Sequence, residues 1–81
     1  MIILSNKELY DAVRTTISKL EAVGMKAAAK ELQDALSISS MPGEILGETR
    51  LVLEKIENEP VSKDISYEIS SEITYINSVL R

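Results

Sequence analysis

Acidic side chains recur at helical spacing in the second half of this sequence. Glu44 and Glu48 are four residues apart, and so are Asp64, Glu68 and Glu72. Residues four apart lie on the same side of an α-helix, so each set would form a row of carboxylates. Such a row can bind a hard cation such as Ca²⁺ or Mg²⁺, attract a basic partner protein, or simply be a solvated polar face.

The residue types that most often perform catalysis or bind transition metals are missing. The 81-residue chain has no histidine and no cysteine, so the commonest general base, the thiol nucleophile and the usual zinc ligands are absent. The di-iron pattern of helical bundles needs a Glu-x-x-His element and is excluded. The sequence has neither an EF-hand loop nor the Gly-x-Ser-x-Gly setting of a nucleophilic serine. We expect no enzyme activity, no metal ion and no cofactor.

The negative charge is concentrated in the second half of the chain. Nine Lys and Arg stand against thirteen Asp and Glu, for a net charge of −4. Residues 1–40 hold five charges of each sign, whereas residues 41–81 hold four basic and eight acidic side chains. This field would attract a cationic protein and repel nucleic acid. The alternative is that the acidic excess only keeps a small protein soluble.

Two of the three tyrosines, Tyr67 and Tyr75, lie in the acidic C-terminal segment. A tyrosine beside carboxylates suits an interface hot spot, because it adds contact area and a hydroxyl at low entropy cost. Half-buried packing is the alternative. The predicted partner-binding residues are therefore Glu44, Glu48, Asp64, Tyr67, Glu68, Glu72 and Tyr75.

The first helix has sequence signals at both ends. Ser5 followed by Glu8 is a capping-box pattern, and Leu4 is placed to pack on Leu9 as a hydrophobic staple. Gly24 can adopt the left-handed conformation that ends a helix in a Schellman motif. These signals predict an amphipathic helix over roughly residues 5–23.

Two further helices follow. Lys26 to Leu36 consists almost entirely of strong helix formers, and Pro42 suits the first turn of a third helix, which Pro60 terminates. Gly47 is unusual inside this third helix, where glycine costs about 1 kcal/mol relative to alanine. Either a neighbouring helix approaches closely, with Ala28 or Ala35 as candidates, or the position faces a partner. We expect close packing.

The last segment is ambiguous between strand and helix. Its isoleucines and tyrosines between positions 65 and 75 share one parity, as in a strand. However, positions 63–81 contain no glycine or proline, and a second set of residues forms a helical stripe. The stripe consists of Ile65, Ile69, Ile73, Ile76 and Leu80. We prefer the helix, because nineteen residues are long for a strand.

These elements predict an all-α fold with one domain over residues 1–81, a small up-and-down bundle of about four helices. No export signal or apolar run of transmembrane length is present, so we expect a cytoplasmic protein without membrane contact. Leu51, Val61 and Val79 lie outside the main apolar stripes. They leave open a self-associating structural or adaptor module, that is, a homo-oligomer.

A short pattern carries a resemblance to known proteins. The sequence Glu31-Leu32-x-x-Ala35-Leu36, a serine-rich link, and Glu44-Ile45-Leu46 with Arg50 a turn later resembles short bacterial proteins, some of them linked to toxin immunity. Size, acidity and the lack of catalytic groups are similar to the immunity proteins of contact-dependent growth inhibition. The tyrosine-rich signature of the colicin DNase immunity proteins is absent. The resemblance implies an inhibitor that neutralises a cationic toxin domain, for example a nuclease, by occlusion.

Overall fold

The computed structural model describes residues 2–80, and it contains helices and connecting loops only. The predicted all-α class is confirmed, and so is the choice of helix over strand for the last segment. The four helices are α1 (Asn6–Ala22), α2 (Lys26–Leu36), α3 (Pro42–Glu57) and α4 (Lys63–Val79). None of the helices in residues 2–80 is long and apolar enough to cross a membrane.

The four helices form a closed bundle. α1 packs against α2 and α4, and α3 packs against the same two helices. The three connecting loops are only three to five residues long, so successive helices run antiparallel. The expected small up-and-down bundle is therefore the observed architecture.

The N-terminal cap of α1 is only partly as predicted. The Ser5 hydroxyl accepts a hydrogen bond from the Glu8 amide at 3.2 Å, and the Glu8 carboxylate accepts one from the Leu4 amide at 3.0 Å. The hydrophobic staple is wrong, because the Leu4 side chain is 76% exposed. Ile3, one residue earlier, packs against the core instead.

The other end of α1 is a Schellman motif, as predicted. Gly24 has φ +84°, which is the left-handed conformation that glycine adopts without strain. The amides of Gly24 and Met25 donate to the carbonyls of Glu21 and Leu20 at 3.1 and 2.9 Å. These two bonds define the motif and turn the chain into α2.

The core is aliphatic and receives side chains from all four helices. Burying one such side chain stabilises the fold by about 1.5–3 kcal/mol. On α2 the buried alanines are Ala29 and Ala35, and Ala28 is only partly buried. The largest apolar side chains with almost no exposed surface are Leu9, Val13, Leu20, Leu32, Leu46, Leu53, Ile69 and Ile76.

Gly47 does not serve close packing between helices. A Cβ atom built at Gly47 meets no heavy atom within 4 Å. The expected contact with Ala28 or Ala35 is wrong, because α3 turns Leu46 and Thr49 inward while Gly47 lies on the partly exposed side of the helix. The other interpretation, that Gly47 faces a partner, stays a prediction.

Candidate functional site

The predicted row of carboxylates on α4 is divided between solvent and interior. Asp64 is exposed, but Glu68 is 4% exposed and Glu72 is fully buried. The expectation that these three residues form one partner-facing surface is therefore wrong for Glu68 and Glu72. Both lie within the stripe that α4 buries, beside Ile65 and Ile69, so a partner on the surface cannot reach them.

The two buried carboxylates belong to a polar cluster between α1 and α4, formed by Thr16, Lys19, Asp64, Glu68 and Glu72. The Thr16 hydroxyl lies 2.8 Å from Glu72 Oε2 and 3.3 Å from Glu68 Oε1. The Lys19 ammonium binds Glu68 Oε2 and also Asp64 Oδ2, the latter at 2.7 Å. Burial of charge is tolerated when the charge is paired and hydrogen-bonded. This polar cluster therefore ties the last helix to the first.

The ionisation of the cluster is unequal. Burial raises the pKa of Glu72 to about 7, while the hydrogen bond from Thr16 and the charge of Lys19 act in the opposite direction. The negative charge of Glu68 adds to the rise. Hydrogen bonds to Asp64 and Glu68 raise the pKa of Lys19 above its ordinary value. Glu72 is thus the member whose charge changes near neutral pH.

The cluster offers no open coordination site. Lys19 already occupies the position between Asp64 and Glu68, and residues 2–80 contain no group of three acidic side chains placed to hold a metal ion. We therefore treat the cluster as part of the scaffold and look for the binding site on the surface.

The most distinctive surface feature is the outward side of α3, which we call the α3 outer face and define as Glu44, Gly47, Glu48, Leu51 and Glu54. Leu51 is 60% exposed and lies opposite the buried side of the helix. Its helical neighbours are Gly47 and Glu48 in the preceding turn and Glu54 and Lys55 in the next, and Lys55 is paired with Glu31 on α2. The site thus has an apolar centre, a bare backbone position beside it, and an acidic border.

The negative charge of the α3 outer face is not neutralised by the helix's own cations. Arg50 donates to Asn77 Oδ1 at 2.9 Å, and Lys55 binds Glu31 at 2.6 Å. Within residues 2–80 neither Glu48 nor Glu54 forms an ion pair. Their carboxylates are exposed and free to meet an external cation.

The two tyrosines of the predicted site have different environments. Tyr67 is exposed on the outward side of α4. Tyr75 is half-buried, packs against the core, and donates its hydroxyl proton to Asn6 Oδ1 at 2.6 Å. The half-buried packing alternative therefore describes Tyr75. Of the seven predicted residues, the structure exposes Glu44 and Glu48 on one side of α3, and Asp64 and Tyr67, three residues apart, on α4.

Sequence reasoning omitted three residues of the α3 outer face from the site. Two of them depart from the pattern of an amphipathic helix. Leu51 is an apolar residue outside the apolar stripe, and Gly47 is a glycine inside a helix. Glu54 lies one turn after Leu51 and carried no separate signal. The pairing of an exposed leucine with an unexplained glycine four residues earlier was the available indication.

Fold and surface together define a small all-α bundle with one acidic face that has an apolar centre. No protein-family model, curated protein or solved structure matches the chain.

Proposed function

We propose that this chain is a non-catalytic binding protein of the immunity type, which neutralises a cationic toxin domain by covering it with the α3 outer face. The observation that carries the proposal is the pair formed by Gly47 and Leu51 on an exposed, acidic helix surface. Cytoplasmic location and a bacterial source are part of the same proposal, through the resemblance described above.

Gly47 supports a binding role because nothing else in the fold explains a glycine that lowers the stability of α3. A glycine in a helix interior lowers helix stability by about 1 kcal/mol relative to alanine. The space around the missing side chain is empty, so no neighbouring helix needs the glycine. A partner that approaches the backbone closely would explain it. Gly47 would then form a shallow notch in which a partner side chain packs against Leu51.

The border of the face supports the choice of a basic partner. Residues 42–60 contain five glutamates and only two cations, Arg50 and Lys55, and both cations are engaged elsewhere in the bundle. Such a field accelerates encounter with a positively charged surface and disfavours nucleic acid. An apolar centre surrounded by charges is also typical of interface hot spots, where the border excludes water from the centre.

The mechanism would be occlusion. On a toxin that acts on nucleic acid, the cationic groups that bind phosphate would instead meet Glu44, Glu48 and Glu54. Leu51 would anchor the contact by burying its exposed side chain. The substrate is then excluded by charge and by volume, and no covalent chemistry is involved.

The test uses two glycines in the same helix. The tagged chain is used to capture its partner from the source cells, and the purified partner is then titrated against two variants, Gly47→Gln and Gly43→Gln. Neither position has a neighbour within 4 Å of an added Cβ, so both variants should fold. We expect Gly47→Gln to weaken binding by about 30-fold, the size of a hot-spot loss, and Gly43→Gln, which lies one turn further from Leu51, to weaken it much less. Equal affinities for wild type and Gly47→Gln would reject the proposal.

A second candidate function is self-association, which the surface of α4 favours. Its outward side presents Tyr67, Thr74 and Val79, with no charged residue between Ser70 and Val79 other than the buried Glu72. Two copies could place this surface against itself without like-charge repulsion. Light scattering coupled to size-exclusion chromatography decides between the two, because a strict monomer at high concentration removes this candidate.

A further inference from the structure

We propose that the polar cluster between α1 and α4 is a pH-sensitive latch, in which the folded protein holds a proton on Glu72 in mildly acidic solution and weakens the α1–α4 contact when it releases that proton near neutral pH. The proposal concerns the scaffold and does not depend on the partner of the α3 outer face.

The Thr16 hydroxyl has more hydrogen-bond acceptors around it than it has protons to donate. Thr16 Oγ1 lies 2.8 Å from Glu72 Oε2, 3.3 Å from Glu68 Oε1 and 3.2 Å from the Ala12 carbonyl. All three partners are acceptors when both carboxylates are charged, but a hydroxyl has only one proton to donate. A proton on Glu72 Oε2 removes one of the three acceptors, and the other two do not depend on Thr16, because Glu68 also binds Lys19 and the Ala12 carbonyl accepts a backbone amide inside α1. Glu72 then donates to Thr16 Oγ1, and Thr16 donates its own proton to Ala12 or Glu68.

Within residues 2–80 no cation forms an ion pair with Glu72. Lys19, the cation that α1 contributes to the cluster, binds Asp64 and Glu68, and Arg14 on α1 pairs with Asp11 in solvent.

The other neighbours of Glu72 offer no compensation either. On α3, the second helix packed against α4, Arg50 and Lys55 bind Asn77 and Glu31. Glu68 on α4 itself adds negative charge. Glu72 Oε1 is buried without a donor in residues 2–80. A charged Glu72 would therefore be buried without a counter-ion, which is strongly unfavourable.

The direction of the pH effect follows from the two states of Glu72. The unfolded chain releases this proton near pH 4.5, whereas the folded chain keeps it until about pH 7. Between these values the folded state binds more protons, so the ratio of folded to unfolded protein falls as pH rises, by about tenfold for each pH unit. Above about pH 7 folded Glu72 releases its proton as well, so the free energy of unfolding levels off at its lower value and the α1–α4 contact weakens.

The experiment is urea unfolding of the full chain between pH 4 and 9, for wild type, Glu72→Gln and the exposed control Glu48→Gln. Glutamine keeps the shape and donor capacity of the neutral acid. We expect the unfolding constant of wild type, divided by that of Glu72→Gln, to rise by about tenfold per pH unit from about pH 4.5 to about pH 7 and then level off.

The control ratio, for Glu48→Gln, should stay flat over the same range. A flat ratio for Glu72→Gln would overturn the proposal, since Glu72 would then be charged in the folded state across the range. If Glu72→Gln does not fold, carbon-detected NMR titration of the wild-type carboxyls replaces it. A Glu72 resonance that titrates near pH 7 supports the latch, and one that titrates at or below 4.5 contradicts it.

Discussion

The Tyr75 hydroxyl and the Asn6 side-chain oxygen are 2.6 Å apart and join the C-terminal part of α4 to the first residue of α1. The same two antiparallel helices are joined again at Thr16 and Glu72 and at Lys19 and Asp64. Polar contacts therefore run along most of the length of α1. These contacts fix how α1 and α4 are aligned along their length. Because α1 and α4 are the first and last helices of the chain, their contact completes the four-helix bundle.

Replacing Tyr75 by phenylalanine should lower the free energy of unfolding by about 1 kcal/mol, the usual contribution of one hydrogen bond. Asn6→Ala should cost a similar amount. In the double variant the two losses should not add, because each removes the same bond. Chemical denaturation of the four proteins measures this coupling, and simple additivity would show that the contact does not form.

Replacing Lys19 by methionine should destabilise the protein more than the loss of an exposed ion pair does, because the buried carboxylate of Glu68 would lose its counter-ion. Lys7→Met is the matched control. Lys7 and Asp11 form an exposed ion pair, and such pairs contribute at most about 1 kcal/mol. Thermal and urea unfolding at neutral pH compare the two. Similar small losses of unfolding free energy for both variants would show that Lys19 does not compensate the buried charge of Glu68.

Replacing Gly47 by alanine should raise the free energy of unfolding by about 1 kcal/mol, because a helix former enters a position with open space. Gly24→Ala should do the reverse and destabilise by about 1 kcal/mol, because Gly24 has a positive φ. Urea denaturation gives both values. A destabilised Gly47→Ala would show that the position is tightly packed after all.

The local features of this fold could be predicted from the sequence. Helix ends depend on nearby residues such as Ser5, Gly24 and Pro60, and the apolar stripes follow from helical periodicity. These predictions needed no knowledge of which helix packs against which.

The candidate site was less predictable, because burial depends on distant parts of the chain. The spacing of Glu68 and Glu72 indicates a shared helix side but not whether that side faces inward. Their burial is tolerable because they contact Thr16 and Lys19, which lie far away in the sequence. Thr16 precedes Glu72 by 56 residues, and Lys19 precedes Glu68 by 49. The same holds for Gly47. The sequence shows that this glycine lowers helix stability, but it does not show what packs around it.

The most direct test of the central claim, that the α3 outer face binds a basic protein, is the affinity of the captured partner for a charge-reversal variant. The double variant Glu44→Lys/Glu48→Lys is compared with Glu21→Lys/Asp34→Lys, which makes the same change in net charge on exposed positions of α1 and α2. Calorimetry measures both affinities at low and at high salt. Salt weakens long-range attraction between charges more than it weakens close contacts in an interface, so the comparison separates the two effects.

We expect the α3 variant to bind at least about tenfold more weakly than the α1–α2 variant, since charges at an interface affect affinity more than charges elsewhere. Part of this difference should persist at high salt, because contacts inside the interface are screened less. Equal affinities of the two variants at both salt concentrations would contradict the claim.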